Sequence, residues 1–300
     1  MLSRHHQTTV TTRNNLNNSL LINSCLKTVV SIVHRCLKNE RGCHSIYCTY
    51  CLPLLCCLLF SGFGAAGQER GSVLMVEGGY ASVHDSYLTP ITYDGFDLGL
   101  GLEVMRPLRD GKWLWQLNVG ADYNYVENPA QNNDLHKLMG DISFDMQRCW
   151  RGVFHPKLNF AAGPMAQVRA GIVYDEVNSN NPVTVRALAA VGATGMAWFN
   201  TRLGRMPLTL RYQAQLPALG AFFAPEYDES YYEIYLGNHR NLAHLAWWGN
   251  RLDMTHYLGA DLQLGKTTLR VGYRSRLEHW TVNHLHVHDF SHALLLGISL

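Results

Sequence analysis

Long stretches of period-two alternation, aromatic residues at the ends of those stretches and an N-terminal export signal predict an all-β fold. The expected architecture is a transmembrane antiparallel up-and-down β-barrel of about twelve strands, following a signal segment. Composition agrees with this. Charged residues make up 16% of the 300 and aromatics 11%, and glycine occurs 26 times. Soluble domains usually carry roughly 25% charged residues, so sparse charge with abundant Tyr, Trp and Gly suits strands that meet an apolar phase on one side.

The chain divides near residue 67. Residues 1–67 read as a leader and signal peptide, and 68–300 as the barrel. The leader holds Arg4, Arg13, Lys27, Arg35, Lys38 and Arg41 against one acid, Glu40, together with seven of the eight cysteines. Residues 52–60 read LPLLCCLLF and are followed by SGFGAAGQE: an apolar core behind a basic stretch, then small residues suited to cleavage after Ala66 or Gly67. That core falls short of the ~20 residues a helical span needs, and Ser61, Gly62 and Gly64 interrupt it. Cys48 and Cys51 form a Cys-x-x-Cys without the second ligand pair that structural zinc requires. Beyond residue 67 there are 19 basic and 22 acidic residues, with no basic patch for nucleic acid. The single Cys149 excludes an intramolecular disulfide there.

Within 68–300 the strands are read from alternation. A first strand covers 72–82. In 96–104, Phe96, Leu98, Leu100, Leu102 and Val104 alternate with Asp97, Gly99, Gly101 and Glu103. In 113–125, Trp113, Trp115, Leu117, Val119, Ala121, Tyr123 and Tyr125 share one face, with aromatics at both ends where two membrane interfaces would lie. Ile142, Phe144 and Met146 alternate with Asp141, Ser143, Asp145 and Gln147; 158–172 interleaves with Asn159, Gly163, Gln167 and Arg169. Further strands fall at 183–202, 208–215, 229–237, 241–248, 252–264, 269–276 and 287–300. A helix would show a 3.6-residue period, and none of the clear segments does.

Turn lengths give an independent constraint. The tightest connections, 107–111, 203–207 and 265–266, follow the second, sixth and tenth of these strands, so all lie on one side. Outer-membrane barrels keep short turns and both termini on the periplasmic side, which requires an even strand number. A soluble β-sandwich also alternates, but its strands usually run five or six residues.

The stretch Asp85-Ser-Tyr-Leu-Thr-Pro-Ile-Thr-Tyr-Asp-Gly95, the segment Phe222-Phe-Ala-Pro-Glu-Tyr-Asp-Glu-Ser-Tyr-Tyr-Glu-Ile234 with Leu236-Gly-Asn238, and the tail Val271-Gly-Tyr-Arg274 with Val282-Asn-His284 resemble an uncharacterised barrel family of Bacteroidetes outer membranes. The resemblance spans about 72–300. It implies the barrel fold and an outer-membrane address in a Gram-negative cell, and it brings no activity with it.

Three groups of residues could carry function. Polar positions on the inward face separate by charge: Glu77, Asp97, Glu103, Asp122, Asp141 and Asp145 come from the first four strands, and Arg169, Arg211, Arg270, Arg274 and Arg276 from later ones. In a closed barrel these walls face each other. They either pair into a salt-bridged filling or line a pore that orients a small polar solute. The loop bearing Glu226, Tyr227, Asp228, Glu229 and Tyr231 is a candidate ligand loop, or a plug folded back into the lumen. His284, His286 and His288, at alternate positions, are weak metal candidates; no cofactor is implied.

Catalysis has little support. No G-x-S-x-G or H-E-x-x-H motif is present. His244, His256 and His292 read as outward-facing, but Ser291 would point away from His292. The expected partners are outer-membrane lipid and the barrel-assembly machinery. The expected roles are a small passive channel or a surface binding or structural protein, with a lipid hydrolase or an anchor for secreted or periplasmic partners as alternatives.

Overall fold

A computed structural model of the chain describes residues 71–108, 111–178, 181–227, 230–237, 240–265 and 267–300. The expected signal segment, residues 1–67, lies outside the described residues. The elements are β1 (Gly71–Asp85), β2 (Tyr93–Leu108), β3 (Trp113–Glu127), β4 (Asp134–Arg151), β5 (Leu158–Asp175), β6 (Val183–Leu203), β7 (Met206–Phe223), α1 (Tyr231–Tyr235), β8 (Ala243–Trp247), β9 (Arg251–Leu264), β10 (Thr267–Val282) and β11 (Leu285–Ser299).

Each strand pairs antiparallel with its neighbours, and β1 pairs with β11, so the sheet closes on itself. Ten long strands form the ring; β8 is an eleventh, short strand. It lies along the far end of β7, opposite Leu219–Phe223, while β9 pairs with the rest of β7 from Leu208 to Gln215. β8 and β9 thus continue one line, broken at residues 248–250. The break coincides with a register shift of β7 against β6 around Pro217. Proline has no N–H for a ladder, and the Pro217 carbonyl instead accepts a 2.9 Å hydrogen bond from the Trp248 indole.

The expected count of twelve strands is corrected by this region. Residues 229–237 hold no described strand; the helix α1 stands there. Its Ser230 and Glu233 form a capping box, Ser230 N–H donating to the Glu233 carboxylate at 2.8 Å and Glu233 N–H to the Ser230 hydroxyl at 3.3 Å. The parity expected from turn lengths survives, since ten is even. Both described chain ends sit at the end of the barrel with the β2–β3, β6–β7 and β9–β10 turns, where Leu300 N–H bonds the Ser72 carbonyl at 2.8 Å.

At the opposite end, β10 and β11 are joined by Asn283 and His284 alone, both with positive φ (51° and 63°). Two left-handed residues match the twist of the flanking strands. The alternation near 277–286 leaves this tight turn unannounced, and the expected strand ends at 276 and 287 are extended to meet at it.

Alternation sorts the two faces. The outward rows are apolar, with Leu98, Leu100, Ile142, Val168, Leu258, Leu294 and Leu296 exposed on the outside of the ring. The inward rows bury Glu77, Asp97, Glu103, Gln116, Asp122, Lys137, Asp145, Arg186, Arg211 and Arg270. This is the reverse of a water-soluble barrel. Among the described residues no helix is long and apolar enough to cross a membrane.

Candidate functional site: a charged, filled lumen

The inward rows meet across the barrel in three levels along β10. At Arg270 the guanidinium donates to Glu103 at 2.6 Å and to both Asp261 oxygens at 2.6 and 2.7 Å. Arg211 from β7 grips the same Glu103 with two bonds, 3.0 and 2.5 Å, and its guanidinium lies 4.6 Å over the Tyr257 ring. Gln116 also donates to Glu103, at 2.9 Å, and exchanges amide bonds with Gln213. One β2 carboxylate thus ties together β3, β7 and β10.

Higher on β10, Arg274 pairs with Glu77, and Arg276 with Asp122 at 3.0 Å and Asp141 at 3.7 Å. Asp122 is also held by Arg169 at 3.1 Å. Higher still, Glu278 faces Arg251 at 3.1 Å and Lys137 at 3.6 Å; Lys137 reaches Asp289 at 2.6 Å, and Arg186 bridges Asp289 and Asp85.

Of the eleven inward charges expected, the structure therefore brings nine into ion pairs. Asp97 and Asp145 are buried without a cation within 4 Å among the described residues. Asp97 accepts from Asn124 at 2.7 Å and Asp145 from Gln147 at 2.5 Å. The third level was missed in the sequence. Lys137, Arg251, Glu278 and Asp289 share the inward parity of charges already picked out on their strands or lie on an inward row, so carrying alternation two or four residues further would have found them. Arg186 sits on β6, whose small alternating residues blur the face assignment.

Apolar clusters flank these levels on either side. At the short-turn end Met105, Leu114, Ala161, Met196 and Trp198 pack together. Towards the other end lie two clusters: Ala81, Val83, Leu88, Tyr93, Val126, Leu135 and Val173, and the group around Leu188, Phe222, Trp280 and Val287. Between the walls remain cavities of about 50 and 30 Å³, room for a few waters each at roughly 10–15 Å³ per water centre.

The loop after β7 folds over this rim. Tyr231 sends its hydroxyl to the Val185 N–H, which donates to it at 2.5 Å, and its ring stands edge-on to Tyr87. Burial pushes the Tyr231 phenol above its ordinary pKa. Asn241 donates to Glu226 at 2.8 Å, and Tyr227 is exposed. Asp228 and Glu229, expected in the same ligand loop, lie outside the described residues.

The histidines separate. His284 occupies the β10–β11 turn, His286 meets Thr281 at 3.2 Å, and His288 meets His279 on the neighbouring strand. The alternate trio does not converge, and no group of three or more metal-ligating side chains is found among the described residues. On the outer face His256 and His292 bond the hydroxyls of Tyr212 and Tyr273 at 2.8 and 2.5 Å, and His136 that of Tyr123 at 2.7 Å. His244, expected outward, is instead on the inner parity of β8, near Phe222, with Nε2 3.1 Å from the Ala224 carbonyl. Ser275 stands directly between His256 and His292 across the strands, yet hydrogen-bonds neither.

No curated protein matches the sequence. Among solved structures, the chain is similar to the transport unit of the autotransporter AIDA-I from Escherichia coli, at 8% identity and TM-score 0.39, covering 80% of this chain and 93% of that one. It is also similar to the outer membrane protease OmpT from Escherichia coli, at 5% identity, TM-score 0.33, and 78% and 98% coverage. Neisserial surface protein A is similar at 10% identity, TM-score 0.30, and 80% and 100% coverage. The family model for a protein of unknown function, DUF3316, matches residues 53–299, and the chain belongs to that family.

Proposed function

We propose that this DUF3316 barrel is an outer-membrane protein of a Gram-negative cell whose lumen is filled, serving as a structural or binding element of the cell surface rather than as a passive channel. Support for the membrane address comes from the outward rows. A contiguous exposed apolar belt is unfavourable in water and suits lipid, and Tyr–His pairs at Tyr123, Tyr212 and Tyr273 resemble the polar-tipped aromatic girdle found at membrane interfaces. In this reading both termini are periplasmic, the outer-membrane lipid is the main contact, and the barrel-assembly machinery inserts the chain.

The observation that carries the closed-lumen reading is the set of ion pairs spanning the interior. Glu103 alone is held from three other strands, and cavities of about 50 and 30 Å³ between the walls hold a few waters rather than a small polar solute. The hydrolase alternative needs a serine hydrogen-bonded to a histidine on the outer face. Ser275 forms no such bond, and the Nδ1 atoms of His256 and His292 are occupied by tyrosine hydroxyls.

Conductance tests the proposal. Purified protein that shows heat-modifiable mobility, reconstituted in a planar bilayer, is expected to give no stable current steps. Steps of constant size, shifted in ion selectivity by Arg270→Gln or Arg274→Gln, would overturn it in favour of an open pore.

A further inference from the structure

On the outer surface near the β10–β11 turn, two imidazoles face each other across adjacent strands. His279 and His288 are directly opposed in register, three pairs from the turn. Their Nδ1 atoms are 3.4 Å apart, and the rings stand at 71°. Both side chains are exposed. They lie four residues further towards the turn than His292, where the aliphatic outward row of Leu294 and Leu296 ends, and so sit on the water side of the apolar belt.

The separation has a chemical meaning. Two nitrogens bound to one tetrahedral zinc at 2.0–2.1 Å are about 3.3 Å apart. The His279–His288 spacing is that bite, held by two hydrogen-bonded strands rather than by a flexible loop. On the other flank, His84 of β1 is in register with His288, and its Nδ1 is hidden from solvent without a hydrogen-bond partner. Such a ladder of imidazoles on one sheet face arises from register alone.

We propose that His279 and His288 form a two-imidazole surface site for a borderline divalent metal ion of the zinc class, with water in the open positions. Imidazole nitrogens suit Zn²⁺, Ni²⁺ and Cu²⁺ over Mg²⁺ and Ca²⁺, which prefer oxygen.

Zn²⁺ alone is titrated calorimetrically into the purified protein in detergent. The expected result at pH 7.5 is one saturable site, weakened at least about tenfold in both His279→Ala and His288→Ala and unchanged in His286→Ala. X-ray absorption of the bound zinc is expected to show nitrogen neighbours near 2.0 Å. No saturable binding to the wild-type protein, or wild-type affinity in both alanine variants, would overturn the site and leave a plain imidazole–imidazole hydrogen bond. Heat-modifiable mobility of each variant verifies that the barrel is intact.

Discussion

Replacing Glu103 by glutamine removes one charge from the centre of the lumen while keeping the side chain's shape. Glu103 is 4% exposed and takes hydrogen bonds from Arg211, Arg270 and Gln116. Arg270 retains Asp261 after the change, whereas Glu103 is the only acid within 4 Å of Arg211 among the described residues. Removing one partner of a buried pair leaves an uncompensated charge and costs roughly 3–5 kcal/mol, more than the net worth of the pair itself. The expected loss for Glu103→Gln is therefore about 3 kcal/mol or more. The double variant Glu103→Gln/Arg211→Gln should recover about half of it, because no stranded cation remains. Urea unfolding in lipid vesicles, followed by tryptophan fluorescence, measures both. A loss below about 1 kcal/mol in the single variant, or a double variant that is simply additive, would refute the cross-lumen lattice as the source of rigidity.

Two further substitutions probe the backbone. Asn283→Ala puts a residue poorly suited to positive φ into the two-residue turn and removes amide bonds to the Pro225 and Asn241 carbonyls at 3.3 and 3.2 Å. A loss of about 1–2 kcal/mol is expected from the strain and lost bonds, read as faster limited proteolysis within 224–242. A Cβ at Gly171 would run into the Leu138 carbonyl, whereas one at Gly195 would face open space. Gly171→Ala should sharply lower the refolded yield on a heat-modifiability gel, and Gly195→Ala should leave it nearly unchanged; equal yields would contradict the close strand approach.

Much of the fold could be read in the sequence because its signal is local. A strand's side chains alternate whatever it pairs with, so the faces of 96–104, 113–125 and 269–276 followed from residue order. The misreading at 229–237 has a local cause as well. Phe222 to Ile234 is rich in aromatic residues, and the Ser230–Glu233 box that starts a helix was present but outweighed by apparent strand character. The candidate site was half visible. Alternation showed that acids cluster early and arginines late, but it stopped short of Lys137, Glu278 and Asp289 and left Arg186 unassigned.

The sequence by itself determined the class, the inward and outward faces and the even parity, because the two-residue repeat and the turn residues are properties of neighbouring positions. Only the tertiary structure decided which charges meet, since Glu103 and Arg211 are brought together by closure of the ring and not by any spacing along the chain. Closure also decided the strand number, through the break at Pro217 and Trp248, and whether space remains inside, which depends on summed side-chain volume against barrel diameter. Likewise the His279–His288 pair is invisible to spacing along one strand: it exists because a two-residue turn sets the register that places them opposite each other.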